Sequence, residues 1–444
     1  MSFILRSFFF CYLILGTIAC GSEPLSVPAR VTDKSVQSIE LMGLITDNNG
    51  KPLSGATVTL GTASTFTTPD GTFNLRTKTV KVTGFTITCS KSGYFTVTKR
   101  LIPNSSFLSA TISLPEIEIV DIIERAQNDT IEKSRCTLLF EPNSFMRGTT
   151  EYNANAQCAF HVLDGQNAGY TLSCDGNGIN DNPQSSAFNR TYFSSLGHYR
   201  IAVLDNDGKP LALRQSKTIT MLTPVPPSLG SAPADCPLWY YDTETQMWMR
   251  KGNAVYDQSQ NVYVSSLDRI GTWMLAFEDE TGIISGTITC GNAPVKGILV
   301  NAGIRTVVTD SLGQYSAIAP VGQHIVVVER VLNGGLTAPA RTVTISEKNN
   351  QQTMNLSLQV CGITVSGTVV DRNSKPVNAL LTVQSADGAF LVSRPIINGS
   401  LFITVPPLVA LTVTVQTAEG KKYMKTLPST AAGGAVSLGK ITMQ

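Results

Sequence analysis

The stretch at residues 43–73, GLITDNNGKPLSGATVTLGTASTFTTPDGTF, leaves little freedom in what it can fold into. Asp47-Asn48-Asn49-Gly50 is a dense turn signal, because Asn and Asp tolerate a left-handed backbone and Gly adopts it without a Cβ penalty. Pro52 presets φ as the chain leaves that turn, and Gly55 permits a further bend. Val58 and Leu60 alternate with threonines, the period of a half-buried strand. Asp70-Gly71 supplies another tight turn before Phe73 and Leu75 alternate into the next strand. The segment predicts a β-meander, not a helix.

Degraded copies of the pattern return twice. One begins at Gly286 and continues through Ile288, Pro294-Val295, Gly297, Val300, Asp310 and Gly313-Gln314-Tyr315. The other begins at Gly367, with Asp371, Lys375-Pro376-Val377, Ala379 in the glycine place, Val383, and a turn at Asn398-Gly399. Elsewhere short Val/Ile/Thr-rich runs alternate with Gly, Asn, Asp and Pro. Residues 116–126 are the one stretch with a helical look, and the alternation of Ile117 and Ile119 reads at least as well as a strand.

Gly43, Asp47, Gly50-Lys51-Pro52-Leu53, Gly55-Ala56, Val58, Thr68, Asp70-Gly71 and Phe73 together resemble the carboxypeptidase regulatory-like domain. The resemblance implies a seven-stranded, transthyretin-like β-sandwich of immunoglobulin-like shape. It also implies an accessory module without catalytic residues, of a kind found beside peptidases, in outer-membrane receptors and in many surface proteins. The middle of the chain, with Leu139 to Phe145, Pro237 to Asp242, Trp248 and Trp273, resembles the extracellular part of astroprincin and cartilage intermediate layer type proteins. There Arg269-Ile270-Gly271-Thr272-Trp273 replaces the His-Phe-x-x-Trp-Asn of those families, so only β architecture follows. The expected fold is all-β, with several consecutive immunoglobulin- or transthyretin-like β-sandwich modules. Its divisions are a signal peptide at 1–19, a tether at 20–38, a first module at 39–116, a cysteine-rich β domain at 117–279, and further modules at 280–358 and 359–444.

The N-terminus gives an address. Arg6 precedes the apolar run Phe8 to Ile18, too short to span a bilayer and suited to a signal-peptide core. It ends in Thr17-Ile18-Ala19-Cys20, which resembles the lipobox of bacterial lipoproteins and implies lipidation of Cys20. The alternative is an ordinary secretory signal cut near Ala19. Acyl chains on Cys20 would anchor the protein, since each buried CH₂ contributes roughly 0.8 kcal/mol and more than one chain is needed. Gly21 rather than Asp follows the cysteine, which by family rule favours the outer membrane. The expected location is the bacterial cell envelope, the membrane partner being reached through the lipid. Net charge is +2 with basic residues scattered, which gives no sign of nucleic acid as a partner.

Nine cysteines occur, Cys11 within the signal core and Cys20 at its end. An oxidising address permits disulfides among the rest. Cys136, Cys158, Cys174 and Cys236 could form two bridges in the middle region, with three connectivities open. Cys290 and Cys361 sit near the starts of two repeat copies and could pair across them, leaving Cys89 in a strand. No CxxC occurs and His161, His198 and His324 lie far apart, so no metal or other cofactor is expected.

Trp239-Tyr240-Tyr241 with Trp248 is the strongest ligand candidate. Alternation puts Trp239 and Tyr241 on one face, which if open would offer flat rings for sugars to stack on. The competing reading is that the rings fill the core. Asp175 to Asp181 resembles part of a calcium loop, but Ile179 stands where the pattern wants Asp or Asn and no Glu follows at the right distance, so it reads rather as a solvated polar loop. Asp205-Asn206-Asp207-Gly208 reads more simply as a hairpin turn. There is no Gly-x-Ser-x-Gly elbow and no His-Glu-x-x-His. The leading expectation is therefore a non-catalytic, lipid-anchored surface protein for adhesion, assembly or envelope architecture, meeting an unknown protein or glycan. The alternatives are a carbohydrate binder using the middle-domain aromatics and, more remotely, a hydrolase without a local signature.

Overall fold

The computed structural model describes residues 36–444 except 83, 104–105, 164–178, 183–188, 226–231, 280, 303–304, 329–335, 348 and 389–390. The chain is all-β: among the described residues every helix-or-strand element is a strand. Cys20, Cys174, the signal core and most of the Asp175–Asp181 loop lie outside the described residues.

The first module is a seven-stranded sandwich. Val36–Asp47 runs antiparallel to Thr72–Lys81 and parallel to Phe107–Leu114 in one sheet. Ala63–Phe66, Thr57–Leu60, Phe85–Ser90 and Val97–Leu101 form the other, in that order. Burial alternates along Thr57–Leu60 and Phe85–Ser90, while residues 41–46 of the first strand are buried throughout, and Leu41, Ile45, Val58, Ile87 and Ile112 meet between the sheets. The third module repeats this order strand for strand. Ser400–Val405, Ile363–Val370 and Ala435–Thr442 face Leu391–Ile396, Ala379–Ser385, Leu411–Gln416 and Lys422–Leu427. The second module does the same from Thr281–Cys290 to Leu356–Ser357, with its last strand broken into Gln351–Thr353 and Leu356–Ser357.

The turn read from Asp47 to Gly50 is built by one carboxylate. Asp47 Oδ1 accepts from the backbone N–H of Asn49 and Lys51 at 2.8 and 2.9 Å, an Asx turn that closes the chain before Pro52. Asp371 does the same for Asn373 and Lys375, and Asp310 for Leu312 and Gln314. The middle domain contains it too: Asp205 Oδ1 accepts from Asp207 and Lys209 at 2.8 and 2.9 Å. Asp205 to Gly208 is thus a turn of the repeat type inside a domain that does not otherwise repeat.

A second shared device is a glycine pressed against the first strand. Gly71, Gly313 and Gly399 all have positive φ, and a Cβ there would lie 2.5–2.6 Å from the carbonyl oxygen of Ile45, Ile288 and Val369 respectively. The same Cβ would press on Pro52, Pro294 and Pro376. Asn398-Gly399 is therefore the third module's equivalent of Asp70-Gly71, although the surrounding residues differ.

The middle domain is built differently. Ten strands follow one another in a single sheet, from Ile119–Ile123 through Ala156–Leu163, Asn189–Leu204 and Thr272–Asp279 to Cys136–Phe140 and Asp129–Lys133, with Ile179–Asn182 paired on the side. Its two end strands lie beside each other, so the sheet curls around a core containing Phe140, Phe160, Tyr199, Leu238, Tyr263 and Trp273. Residues 119–123 are strand, as the isoleucine alternation indicated.

Alanine at Gly71 and at Gly55 should separate backbone from packing. Both have positive φ, which costs an L-residue about 1–2 kcal/mol. At Gly55 a Cβ meets nothing nearer than Lys91 Nζ at 3.9 Å. Gly71→Ala adds the collision with Ile45 and Pro52, worth a further ~1–3 kcal/mol. Equilibrium urea denaturation should rank Gly71→Ala clearly below Gly55→Ala in stability.

Candidate functional site

The aromatic set lies on Asp235–Asp242 and Met247–Asp257, adjacent antiparallel strands in which Tyr241 stands opposite Trp248. Trp239 and Tyr241 share a face, as alternation requires, but the face is closed. Trp239, Tyr241 and Trp248 are 3, 2 and 1 % exposed, in a cluster with Phe193, Met274 and Ala276. The ring centres of Phe193 and Trp239 lie 4.7 Å apart in a tilted pair, and those of Tyr241 and Trp248 5.2 Å apart edge to face, as in packed aromatic cores. The Trp239 Nε1–H donates to the Ala276 carbonyl at 2.9 Å. Tyr240, on the opposite face, packs against Trp273 with the Arg269 guanidinium over its ring. Trp239, Tyr241 and Trp248 are therefore corrected from an open carbohydrate platform to core. Three consecutive aromatics carried the signal, since a strand covered on both faces reads as a continuous apolar run.

The cysteines divide. Cys290 and Cys361 form a disulfide that ties the end of the second module's first strand to the start of the third module. Beside it Thr404 Oγ1 donates to the Lys296 carbonyl, and Lys296 Nζ lies 4.6 Å from the centre of the Phe402 ring. Cys158 forms no disulfide, so the two bridges expected from Cys136, Cys158, Cys174 and Cys236 are not both made. Cys136 and Cys236 share its apolar core, while Cys174 lies outside the described residues. Burial pushes the Cys158 thiol up to about 12, with Asp121 and Asp129 adding to the effect, and pushes Cys89 to about 12 as well. Such thiols behave as small hydrophobes.

Two open grooves lie among the described residues. A groove of about 570 Å³ is lined by Met146, Glu151, Arg214, Gln215 and Ser216, and Arg214 and Glu151 are paired at 3.3 Å. A second, of about 780 Å³, runs along Val308, Asp310, Tyr315 and Asn355 of the second module. Asp310 is committed to its turn, as Glu151 is to its pair with Arg214. No three His, Cys, Asp or Glu side chains among the described residues come together to hold a metal.

What the fold does concentrate are the seams between modules. Phe95 of the first module meets His161 of the middle domain at 6.3 Å, and Lys99 acts electrostatically on His198. His161 and Arg200 stand opposite one another on paired strands. Between the first and third modules, Asn74 Nδ2 and Arg76 Nε both donate to the Ala418 carbonyl, at 2.6 and 2.8 Å. Met42 and Phe107 pack there against Leu380 and Ala418. Sequence reasoning missed this contact, because its halves are more than 300 residues apart.

No protein-family model matches this chain. No curated protein matches it either. Among solved structures it is similar to the shaft pilin SpaA from Lactobacillus rhamnosus GG, at 9% identity over 37% of this chain and 97% of that one, TM-score 0.18. The Bacillus anthracis TIE protein is 10% identical over 93% of this chain and 69% of its own, TM-score 0.18. A DUF3823 family protein from Parabacteroides merdae is 9% identical over 34% and 98%, TM-score 0.16. TM-scores this low establish no shared architecture, and the sandwich assignment stands on the strand order.

The seams give two measurable consequences. Burial, then the positive charges of Arg200 and Lys133, lower His161 to about 4, and burial with Arg200, His161 and Lys99 holds His198 well below 6.5. Both values lie below the unfolded 6.5, so the unfolded chain takes up protons first as pH falls. The contribution is whole above about pH 6.5 and is lost towards pH 4, His161 accounting for about 3 kcal/mol. Urea midpoints measured from pH 7 to pH 4.5 should fall, and His161→Phe should flatten that fall. The disulfide closes a loop with a sequence separation of 71 residues, for which chain entropy gives about 4 kcal/mol. Reduction, or Cys361→Ser, should lower the unfolding temperature of the second and third modules in calorimetry.

Proposed function

We propose that this chain is a non-catalytic, lipid-anchored bacterial surface protein whose docked β-modules serve adhesion, assembly or envelope architecture. The observation that carries the reading is that its aromatic and cysteine residues hold modules and cores together. The Cys290–Cys361 disulfide, the Ala418 seam and the closed Trp239 cluster all give a scaffold, with no cleft holding reactive groups among the described residues. The resemblance of the first module to accessory regulatory-like domains supports the same role, and a disulfide between modules suits an oxidising compartment. Thr17-Ile18-Ala19-Cys20 supports attachment through Cys20, with the outer membrane as destination. The partner is a protein or glycan met by an outer surface of the modules.

Attachment is tested by metabolic labelling with a fatty acid and by fractionation. The wild-type chain should take up label and stay with membranes, while Cys20→Ala should lose the label and leave the membrane fraction. An unlabelled wild-type chain in the soluble fraction overturns the anchored reading. Removal of the protein should weaken surface adhesion, partner pull-down or envelope integrity, and no change in any of the three overturns the structural role.

A further inference from the structure

The seam between the first and third modules is made of two unlike surfaces. The first module presents side-chain donors, Asn74 and Arg76, the carboxylate of Asp70, and the apolar side chains of Met42 and Phe107. The third presents a backbone carbonyl at Ala418, the ammonium of Lys422 and the side chain of Leu380. A contact between unlike surfaces is heterologous, and when made between copies of one chain it propagates head to tail.

The seam is mixed in character. Among the described residues it includes four apolar side chains, two hydrogen bonds to one carbonyl and one ion pair. Its ion pair, Lys422 Nζ to Asp70 Oδ2 at 3.4 Å, is only half-buried. Glu40 and Glu419 repel across it, with Arg76 acting on both. Nothing covalent closes it directly. The third module is bonded to the second through Cys290–Cys361, whereas the first is joined to the middle domain, where Ile117 N donates to the Gly93 carbonyl. Contacts between modules of one chain resemble transient interfaces, so relative motion is the default, and proximity favours closure within one chain.

We propose that this seam is a clasp that a second copy of the chain can supply in trans, the third module of one chain docking on the first module of the next. An opened chain carries the Met42–Phe107 patch in one module and the Leu380–Ala418 patch in another, and a second copy carries the matching partner for each. Crowding of chains at a surface favours the trans form by raising their effective concentration. That step rests on the anchored reading above; the contact itself does not.

Asp70 and Lys422 are exposed enough to replace without disturbing a core. Asp70→Cys and Lys422→Cys are made separately and together in the full chain, and treated with a short bis-maleimide over a range of concentrations. The wild-type chain treated alike gives the background from native thiols. An equimolar mixture of the two single variants should give covalent dimer severalfold above either variant alone. The double variant should give an intramolecular product at low concentration and a ladder of multimers at high concentration. Mixture yields no higher than those of the single variants at every concentration, with only intramolecular product from the double variant, overturn the proposal. Absence of any cross-link in the double variant overturns the seam itself. None of these outcomes depends on lipid attachment, which Cys20→Ala tests separately.

Discussion

One carboxylate oxygen accepting two backbone N–H groups sets the geometry on which the rest of this chain depends. At Asp47, Asp205, Asp310 and Asp371 it satisfies amides that a tight turn would otherwise leave without partners. In the first and third modules the proline that follows comes to lie under the glycine of the next turn, Gly71 or Gly399, while in the second Gly313 lies within the Asp310 turn itself and rests on Pro294. The first strand is thereby held at a fixed distance from the rest of its module. Register follows, and with it the alternation that puts Leu41 and Ile45, or Val365 and Val369, between the sheets.

This is why so much of the fold was legible from local sequence. Turn residues and strand alternation are short-range signals, and Asp47 to Gly50, Asp70-Gly71 and Asn398-Gly399 carry them openly. The Cys290–Cys361 pair was legible for a related reason, as both cysteines stand near the starts of repeats. The same turn at Asp205 was readable as a hairpin, but the strands around it do not repeat the modules and so hid the kinship. Cys158 misled because an oxidising address permits bridges without requiring them, and its thiol is used as a packing atom beside Cys136 and Cys236.

The site was less legible because exposure is a long-range property. Trp239 and Tyr241 occupy the face that alternation assigns them, yet whether that face is open depends on what else in the fold covers it. No local pattern near Trp239 encodes that answer. The Ala418 seam is harder still, since its acceptor is a backbone carbonyl that any residue could provide. Its polar partners, Asn74 and Arg76, look in sequence like ordinary solvent-facing positions of a strand. The buried cations and imidazoles around His198 fall in the same class: spacing alone does not reveal that Lys99, from another module, lies near enough to be felt.

The placement of the Cys290–Cys361 bond has a mechanical consequence. Cys290 ends the first strand of the second module and Cys361 follows its last, so the bond joins the module's entry directly to its exit. Tension applied along the backbone would run down that first strand, cross the sulfurs and enter the third module. The residues between the two cysteines would hang from this path as a side loop carrying no load. Under pulling, the second module would thus act as an inextensible link, and any lengthening would have to come from its neighbours.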